Sequence, residues 1–572
     1  MENNNNKLYK DTHIIVITGG VFSSLGKGIT ASSVGCLLNN LGYKVINLKF
    51  DPYVNVDPGT MSPLQHGEVF VTHDGGETDL DLGNYERFLN VDLNKISNLT
   101  TGTVYQNVIK KERNGDYLGK TVQIIPHITN EIMHRVDEIS QMYQPDFIIV
   151  EIGGTVGDIE SIPFIEAMRQ MGRMYKDRVL YMHCVPVIKL LTSKETKTKP
   201  LQHSVRELMH AGISPDFLLV RSEDGVTKED KEKIYLTTGV DPQDIIDVKN
   251  QEFIYDLPSD LYKQGLQKLI IDKFHMEKKA NHAAFDKWEN FLKIIHAPAK
   301  YKANIAVVGK YISNSDAYLS LFSGLKISAW YNECDLTITE VDARKITDQN
   351  VNEMLKGYDA IIVPGGFGED GIEGMIRAIK YARENHIPYL GICLGMQLAC
   401  IEYARDVLGL KNATSQEFDK NTSCPIFHII AGKSANKDLG GTLRLGDYLC
   451  SIKDPTSLSH EIYQNDHAIE RHRHRYEFNN DYKKQFENAG LKFTGIYEDQ
   501  NLAEIIELPQ DVHPFFFGTQ FHPEFTAKAL RPQPIFSELI KVCEKPLPGH
   551  EQEWQQGRKP AWTKYSKNHG AR

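Results

Sequence analysis

Short apolar runs of strand length recur along this chain, each followed by a longer amphipathic segment, and that alternation restricts the fold more than any other feature. In the first half the runs fall at residues 14–18, 45–48, 147–151, 179–184 and 217–220, the rhythm of a mostly parallel sheet with covering helices. It restarts at 304–308, 360–363, 389–392 and 515–521. The expected fold class is therefore α/β, with two three-layer α/β domains. The expected order is a polar, Asn-rich segment at 1–13, a first domain at 14–272, a helical linker at 273–302 that includes Trp288, Phe291 and Pro298, a second domain at 303–545, and a polar tail at 546–572. A length of 572 residues, 41% of them hydrophobic, suffices for two cores of that size,.

Charge and cysteine usage narrow the function classes. Lys and Arg number 65 against 75 Asp and Glu, a formal charge of -10, so general attraction to a nucleic-acid polymer or an anionic membrane is not expected, and a phosphate-bearing ligand must meet a local cationic site. The eight cysteines show neither CxxC nor zinc-type Cys/His spacing, which points to a reducing compartment. No stretch approaches the roughly 18 apolar residues of a membrane span. The expectation is a cytoplasmic protein.

The first chemical motif is Gly19-Gly20-Val21-Phe22-Ser23-Ser24-Leu25-Gly26-Lys27-Gly28, which leads from a strand into a helix. Glycines let backbone N–H groups approach an anion, the helix start adds partial positive charge, and Lys27 reaches terminal phosphates. Five residues rather than four separate Gly20 from Gly26, and Gly28 stands where a phosphate loop carries the Ser or Thr that holds magnesium,. Carboxylates must then hold the metal. Candidates are the acidic run from Asp74 to Asp81 and Glu151, which closes a buried strand just before Gly153-Gly154,. A basic loop, Lys197-Thr198-Lys199-Pro200-Leu201-Gln202, reads either as a solvated turn or as a triphosphate clamp,.

The second motif is sharper. Gly391-Ile392-Cys393-Leu394-Gly395 follows a strand and precedes a helical run, the setting of a nucleophile elbow with cysteine as nucleophile. The Leu394 N–H is available to an oxyanion, and the helix start favours thiolate. Downstream, His522 and Glu524 lie two positions apart, so an extended backbone would put both on one face, with Glu524 orienting His522 as the base,. Gly365-Gly366-Phe367-Gly368 offers a second backbone oxyanion donor. In the run Arg471-His472-Arg473-His474-Arg475, bracketed by Glu470 and Glu477, one Arg holding a substrate carboxylate is a more economical reading than a nucleic-acid patch,.

Taken with Asp51-Pro52-Tyr53, Pro58-Gly59-Thr60-Met61-Ser62-Pro63, the stretch from Glu151 to Glu160, the Lys197–Pro200 loop and Gly391-Ile392-Cys393-Leu394-Gly395-Met396-Gln397, the chain resembles the CTP synthases from about Ile14 to Phe525. The resemblance implies an N-terminal P-loop-like amidoligase domain and a C-terminal class I glutaminase domain. It implies that Cys393, His522 and Glu524 hydrolyse L-glutamine, that ammonia travels through the protein, and that ATP phosphorylates the 4-oxygen of UTP before ammonia displaces the phosphate to give CTP. Lys27 and Lys49 would serve phosphoryl transfer. Ser24, Leu25, Gly26, Lys27, Gly28, Ile29 and Asp81 would bind ATP, with Lys249, Asn250 and Gln251 in the adenine-contacting segment, and Mg2+ would lie on Asp81 and Glu151. UTP, and CTP as feedback inhibitor, would meet Ser23, Asp158, Ile159, Glu160, Lys197, Thr198, Lys199, Pro200, Leu201, Gln202 and Lys233. Glutamine would meet Gly366, Leu394, Gly395, Met396, Gln397, Glu417 on its α-ammonium and Arg475 on its α-carboxylate.

The resemblance also implies GTP as allosteric activator, with Phe367 placed for a purine, and a homotetramer in a family that can form filaments. Here Asp370 stands where the family carries an arginine, the two residues after Lys249 depart from the common Asp-Val, and the segment from Ile430 to Gly440 is shorter than in many bacterial relatives. Two other readings compete: a related amidotransferase acting on a carboxylate, against which the Pro58–Pro63 and Lys197–Pro200 segments argue, and a non-catalytic nucleotide-responsive assembly protein, against which the intact Lys27, Asp81, Cys393, His522 and Glu524 argue.

Overall fold

The computed structural model describes residues 7–22, 25–189, 196–276, 283–312, 314–430 and 443–557. Ser23 and Ser24 of the glycine-rich loop, the shortened segment beyond Ile430, and the ends of the polar termini lie outside the described residues. The chain divides into two compact units: Met1–Pro58 with Asp81–Leu292, and Gly59–Leu80 with Lys293–Arg572. Residues 59–80 thus pack with the C-terminal half, although they interrupt the N-terminal half in sequence.

In the first unit, strands β1 (His13–Gly19), β2 (Val45–Asp51), β3 (Asn98–Thr100), β4 (Phe147–Ile152), β5 (Val179–Pro186), β6 (Phe217–Ser222) and β7 (Ile245–Lys249) form a parallel sheet of order β7-β6-β5-β1-β4-β2-β3. Ile14, Ile15, Val16 and Ile17 are all fully buried, as are Phe147 to Val150. Burial of consecutive residues requires cover on both faces. Helices include α1 (Lys27–Asn40), α2 (Asp81–Leu89), α3 (Ile162–Tyr175), α4 (Lys199–His210), α5 (Lys228–Thr238) and α6 (Ala283–Ile295). The order reverses beside β1, and ligands of such sheets gather at the carboxyl ends of strands flanking that point.

Part of the stretch read as a linker, the α6 residues up to Leu292, belongs to this unit. Trp288 and Phe291 of α6 are buried against Tyr255, and the Trp288 ring also meets Phe88. The Trp288 indole N–H donates to the Tyr255 carbonyl at 3.2 Å. Charged residues on the outer face of α6 gave it a linker-like composition, whereas its aromatics belong to the core.

The second unit contains β8 (Tyr301–Gly309), β9 (Cys334–Asp342), β10 (Ala360–Val363), α7 (Ile372–Glu384), β11 (Tyr389–Ile392), α8 (Leu394–Asp406), β12 (Arg444–Ser451), β13 (His467–His474), β14 (Lys492–Tyr497), β15 (Leu502–Glu507), β16 (Phe516–Thr519) and α9 (Pro534–Cys543). The sheet order is β9-β8-β10-β11-β16-β15-β14-β12-β13. It is parallel from β9 to β16 and antiparallel beyond. On β8, Ile305 and Val307 enter one core while Ala306 and Val308 enter the other, so this unit also has three layers. The antiparallel extension was not anticipated, and it carries the arginine-histidine run.

Candidate active sites

In the first unit the glycine-rich loop ends at Gly26, which caps α1 in the left-handed region at φ 86°. Lys27, only 9% exposed, donates from Nζ to the Gly154 carbonyl at 2.6 Å. Burial and the nearby Lys49 lower its pKa, against the pull of Glu151. Lys49, on β2, directs Nζ to Asp81 at the start of α2, to Glu151 Oε1 at 3.3 Å and toward Asp51 at 3.9 Å. Glu151 also accepts from Tyr85 Oη. Burial raises the Glu151 pKa, Asp81 adds to the rise, and Lys49, Tyr85 and Lys27 oppose it.

The missing Ser or Thr now has a geometric reason. A Cβ on Gly28 would come 1.8 Å from Asp81 Oδ1, so the space that a hydroxyl side chain would take holds a carboxylate instead. Two hard-oxygen carboxylates, Asp81 and Glu151, beside two lysines are the donor set that magnesium takes when phosphate and water complete its shell. The rest of the acidic run is elsewhere: Asp74 accepts from the Thr72 hydroxyl at 2.6 Å, and Glu77 pairs with Arg473 at 2.9 Å within the second unit.

Around this centre the expected nucleotide residues are placed unevenly. Val21, Thr155, Val156, Lys199, Pro200 and Ser204 line one cavity of about 460 Å³, which brings the glycine-rich and basic loops together. Leu201 is core, and Gln202 is buried, with its amide on the Thr198 hydroxyl at 3.0 Å. These two side chains do not face that cavity, because they sit on the inner side of α4. Asp158, Ile159, Glu160 and Lys233 are exposed, and among the described residues of this unit nothing gathers Lys233 to the loop. Asn250 accepts from Arg221 Nη2 at 2.7 Å and Gln251 donates to Asp260 at 2.5 Å. Arg221, missed in the sequence, also approaches Gly26 and so ties the 249–251 segment to the glycine-rich loop.

The second unit holds a cavity of about 380 Å³ lined by Cys393, His522, Glu524, Glu417 and Arg475 among others. Cys393 lies between β11 and α8 with φ 51° and ψ -99°, a strained elbow that lifts the side chain above the sheet. A Cβ on Gly395 would lie 2.0 Å from the Val363 carbonyl oxygen, so the helix can start that close to β10 only with glycine there. His522 Nδ1 bonds Glu524 Oε1 at 2.8 Å. The expected pairing is present but its backbone origin differs: residues Pro523–Phe525 form a 3-10 turn rather than a strand, and the turn folds the carboxylate back onto the ring.

With Nδ1 taken by Glu524, Nε2 is the ring nitrogen left for Cys393, whose side chain lines the same cavity. Burial opposes a charged His522, yet Glu524 and the Cys393 sulfur outweigh it and push the pKa up to about 10. An imidazolium beside the sulfur is the arrangement that makes cysteine nucleophilic. Since this value lies above the ordinary 6.5, the charged ring contributes stability fully below that pH and loses it as pH rises through about 10. Glu524→Gln should therefore flatten the fall of melting temperature between pH 7 and 10, and parallel wild-type and variant profiles would contradict this electrostatic origin.

The Gly365–Gly368 loop is fastened from below. Lys310 Nζ donates to the Gly368 carbonyl at 2.7 Å and to that of Phe367, the Gly368 N–H donates to Glu417 Oε1 at 2.8 Å, and the Phe367 N–H points to Tyr311 Oη at 3.4 Å. These bonds commit the Phe367 and Gly368 N–H groups in this conformation, so an oxyanion donor from this loop would come from Gly365 or Gly366. Burial raises the Glu417 pKa, while the Gly368 N–H, Lys310 and Arg475 oppose the rise. Met396 is core, leaving only its backbone for a ligand, and Gln397 is buried with its amide committed inside the protein. Phe367 is partly exposed under the Arg473 guanidinium at 4.9 Å. The Arg473 side chain is held by Glu77 and by the Gly59 carbonyl at 3.1 Å. Gly59, Thr60, Met61 and Pro63 also line the cavity, a contribution from 300 residues upstream that no local pattern signals.

A cysteine elbow with a His-x-Glu pair in one α/β unit, on the same chain as a buried lysine-carboxylate cluster beside a glycine-rich loop in another, is the pairing expected of glutamine-dependent amidoligases. Residues 13–276 match the CTP synthase N-terminus model, and residues 315–542 match that of class I glutamine amidotransferases. The CTP synthase of Bacillus licheniformis is 50% identical over 535 residues, which cover 93% of this chain and 99% of the relative, and that of Bacillus subtilis is 50% identical over 530 residues, covering 92% and 98%. A solved Trypanosoma brucei CTPS glutaminase domain with bound acivicin is 34% identical, covering 42% of this chain and 92% of its own, with a TM-score of 0.39. The chain belongs to the CTP synthase family. Among the described residues, no helix is long and apolar enough to cross a membrane.

Proposed function

We propose that the chain converts UTP to CTP with ATP and with glutamine as nitrogen donor, and that the residues described above carry the two half-reactions. The observation that supports this best is the presence, in one chain of this family, of both the Lys27-Lys49-Asp81-Glu151 centre and the Cys393-His522-Glu524 site. In the glutaminase reaction, the Cys393 proton is held on His522 as imidazolium, and the thiolate pair forms a bond to the glutamine carboxamide carbon. The carbonyl pair moves to oxygen, with the Leu394 N–H at the start of α8 facing it. Collapse breaks the C–N bond, the nitrogen takes the proton from His522, and ammonia leaves. Water then adds to the thioester, passing a proton to His522, and the C–S bond breaks to release glutamate and thiolate. Arg475 holds the α-carboxylate and Glu417 the α-ammonium.

In the other unit, Lys27 and Lys49 neutralise charge on the transferred phosphoryl while it passes from ATP to the UTP 4-oxygen. Magnesium held by Asp81 and Glu151 would supply further neutralisation of the phosphates. Ammonia attacks C4 and phosphate departs with the oxygen. Water kept away from these steps would otherwise protonate ammonia and hydrolyse the activated uracil. Supplying UTP, ATP, magnesium and glutamine and looking for CTP tests the reading; nucleotide-dependent assembly without turnover would favour the binding-protein alternative. The same reading carries a cytoplasmic homotetramer, and sedimentation with and without nucleotides tests the assembly.

GTP activation belongs to this proposal, with Phe367 as the purine contact. Asp370 pairs with Arg344 at 3.8 Å, and both are substantially exposed, so the pair itself adds little stability. Asp370→Arg would remove the carboxylate and set two guanidinium groups side by side, a better neighbour for a triphosphate. The half-activating GTP concentration in glutamine-dependent synthesis should fall, by several-fold at fixed salt and magnesium. An unchanged value would show that this side chain does not face GTP, and a wild type indifferent to GTP would sink the activation itself.

A further inference from the structure

Besides His522, the Cys393 sulfur has two polar neighbours that favour opposite protonation states. The Arg473 carbonyl oxygen lies 3.7 Å away and accepts the S–H of the thiol. Gln520 Nε2 lies 3.6 Å away on another side. The two ends of an amide have nearly the same shape, so its orientation must be read from the hydrogen-bond network. Here the network is anchored at a group that can only accept: Gln397 Nε2 lies 3.4 Å from the Tyr476 carbonyl oxygen. The same NH2 group donates to Gln520 Oε1 at 3.1 Å, which turns the Gln520 NH2 toward sulfur. Both glutamines are almost fully buried, at 3% and 1% exposure, and the Gln520 backbone N–H is fixed on the Glu504 carbonyl at 2.8 Å.

We propose that Gln520 is a catalytic residue of glutamine hydrolysis, donating an N–H to the Cys393 thiolate, with Gln397 as the positioning residue that locks the amide. This rests on the assignment of Cys393 as nucleophile. When the sulfur proton passes to His522, the bond to the Arg473 carbonyl is lost and the one from Gln520 becomes charge-assisted, so it strengthens in the charged state. The same donor receives the sulfur again when the thioester is cleaved. Gln397, which family resemblance assigns to substrate glutamine, here acts through Gln520.

The test is the pH dependence of Cys393 alkylation by iodoacetamide, with Cys393→Ala as the blank for the other cysteines. Gln520→Glu keeps the shape and still accepts from Gln397, but it turns an oxygen to the sulfur. Gln520→Leu removes the donor without adding an acceptor. Both should move the alkylation midpoint upward by about one to two pH units and lower kcat for glutamine hydrolysis, with KM little changed. Gln397→Met, which frees the Gln520 amide to rotate, should shift the midpoint in the same direction by less. A near-UV circular dichroism spectrum like that of the wild type, with CTP formation from added ammonia retained, shows that a variant is folded. An unmoved midpoint in a fully labelled Gln520 variant, or a raised KM with kcat intact, would overturn the proposal. Failure of Cys393 as nucleophile would be seen separately, in a wild type that neither hydrolyses glutamine nor labels at this residue.

Discussion

Cys393→Ala should abolish glutamine-dependent CTP formation, by on the order of 10⁴-fold or more, while CTP formation from added ammonia persists. The side chain is small and buried at an elbow whose backbone is held by the Cys393 N–H to the Thr519 carbonyl at 2.6 Å, so alanine leaves the turn in place and removes only the sulfur. No thioester can then form, yet every residue of the Lys27-Lys49-Asp81-Glu151 centre is untouched. The measurement is a paired assay with glutamine or an ammonium salt as nitrogen source. Loss of both activities would mean that the sites are not separable.

Lys27→Ala should produce the complementary result, lowering synthesis from both nitrogen sources by roughly 10²- to 10³-fold. The ammonium is buried, and the carbonyl of Gly154 at 2.6 Å is the partner it keeps in the folded chain. Burial that lowers its pKa reports an unfavourable environment for a lone cation, which a bound polyphosphate would relieve. Glutamine hydrolysis measured alone should survive in this variant. Substantial CTP formation by it would remove Lys27 from phosphoryl transfer.

Much of this was legible because the signals are local. Consecutive apolar residues such as those of β1 require a doubly covered sheet, and glycine, lysine and cysteine at fixed spacing around a strand-helix junction announce tight turns with exposed functional groups. Gly28 is instructive: its missing hydroxyl raises the expectation of carboxylate ligands, and Asp81 occupies the space a side chain there would take. What stayed hidden depends on contacts distant in sequence. Residues 59–80 join the second unit through Arg473, Arg471 and Ser320, which donate to Glu77, the Val71 carbonyl and Glu68, and no periodicity encodes such partners. Lys310 and Arg221 were missed for the same reason. The antiparallel strands β12 to β15 mix polar and apolar residues because their side chains feed a buried network, in which Arg444 bonds Glu504 at 2.7 Å and stacks 4.0 Å from the Tyr448 ring, so the usual alternation is obscured. Gln520 carried a weak signal, a polar residue between Thr519 and Phe521, two positions before His522.

The most direct test of the whole account is one reaction with UTP, ATP, magnesium and glutamine labelled with ¹⁵N in its amide, followed by mass analysis of the nucleotides. The account predicts CTP carrying the ¹⁵N label, formed with equal amounts of ADP, phosphate and glutamate. Glutamate and ADP accumulating without labelled CTP, or label transferred to a carboxylate acceptor instead of UTP, would contradict it.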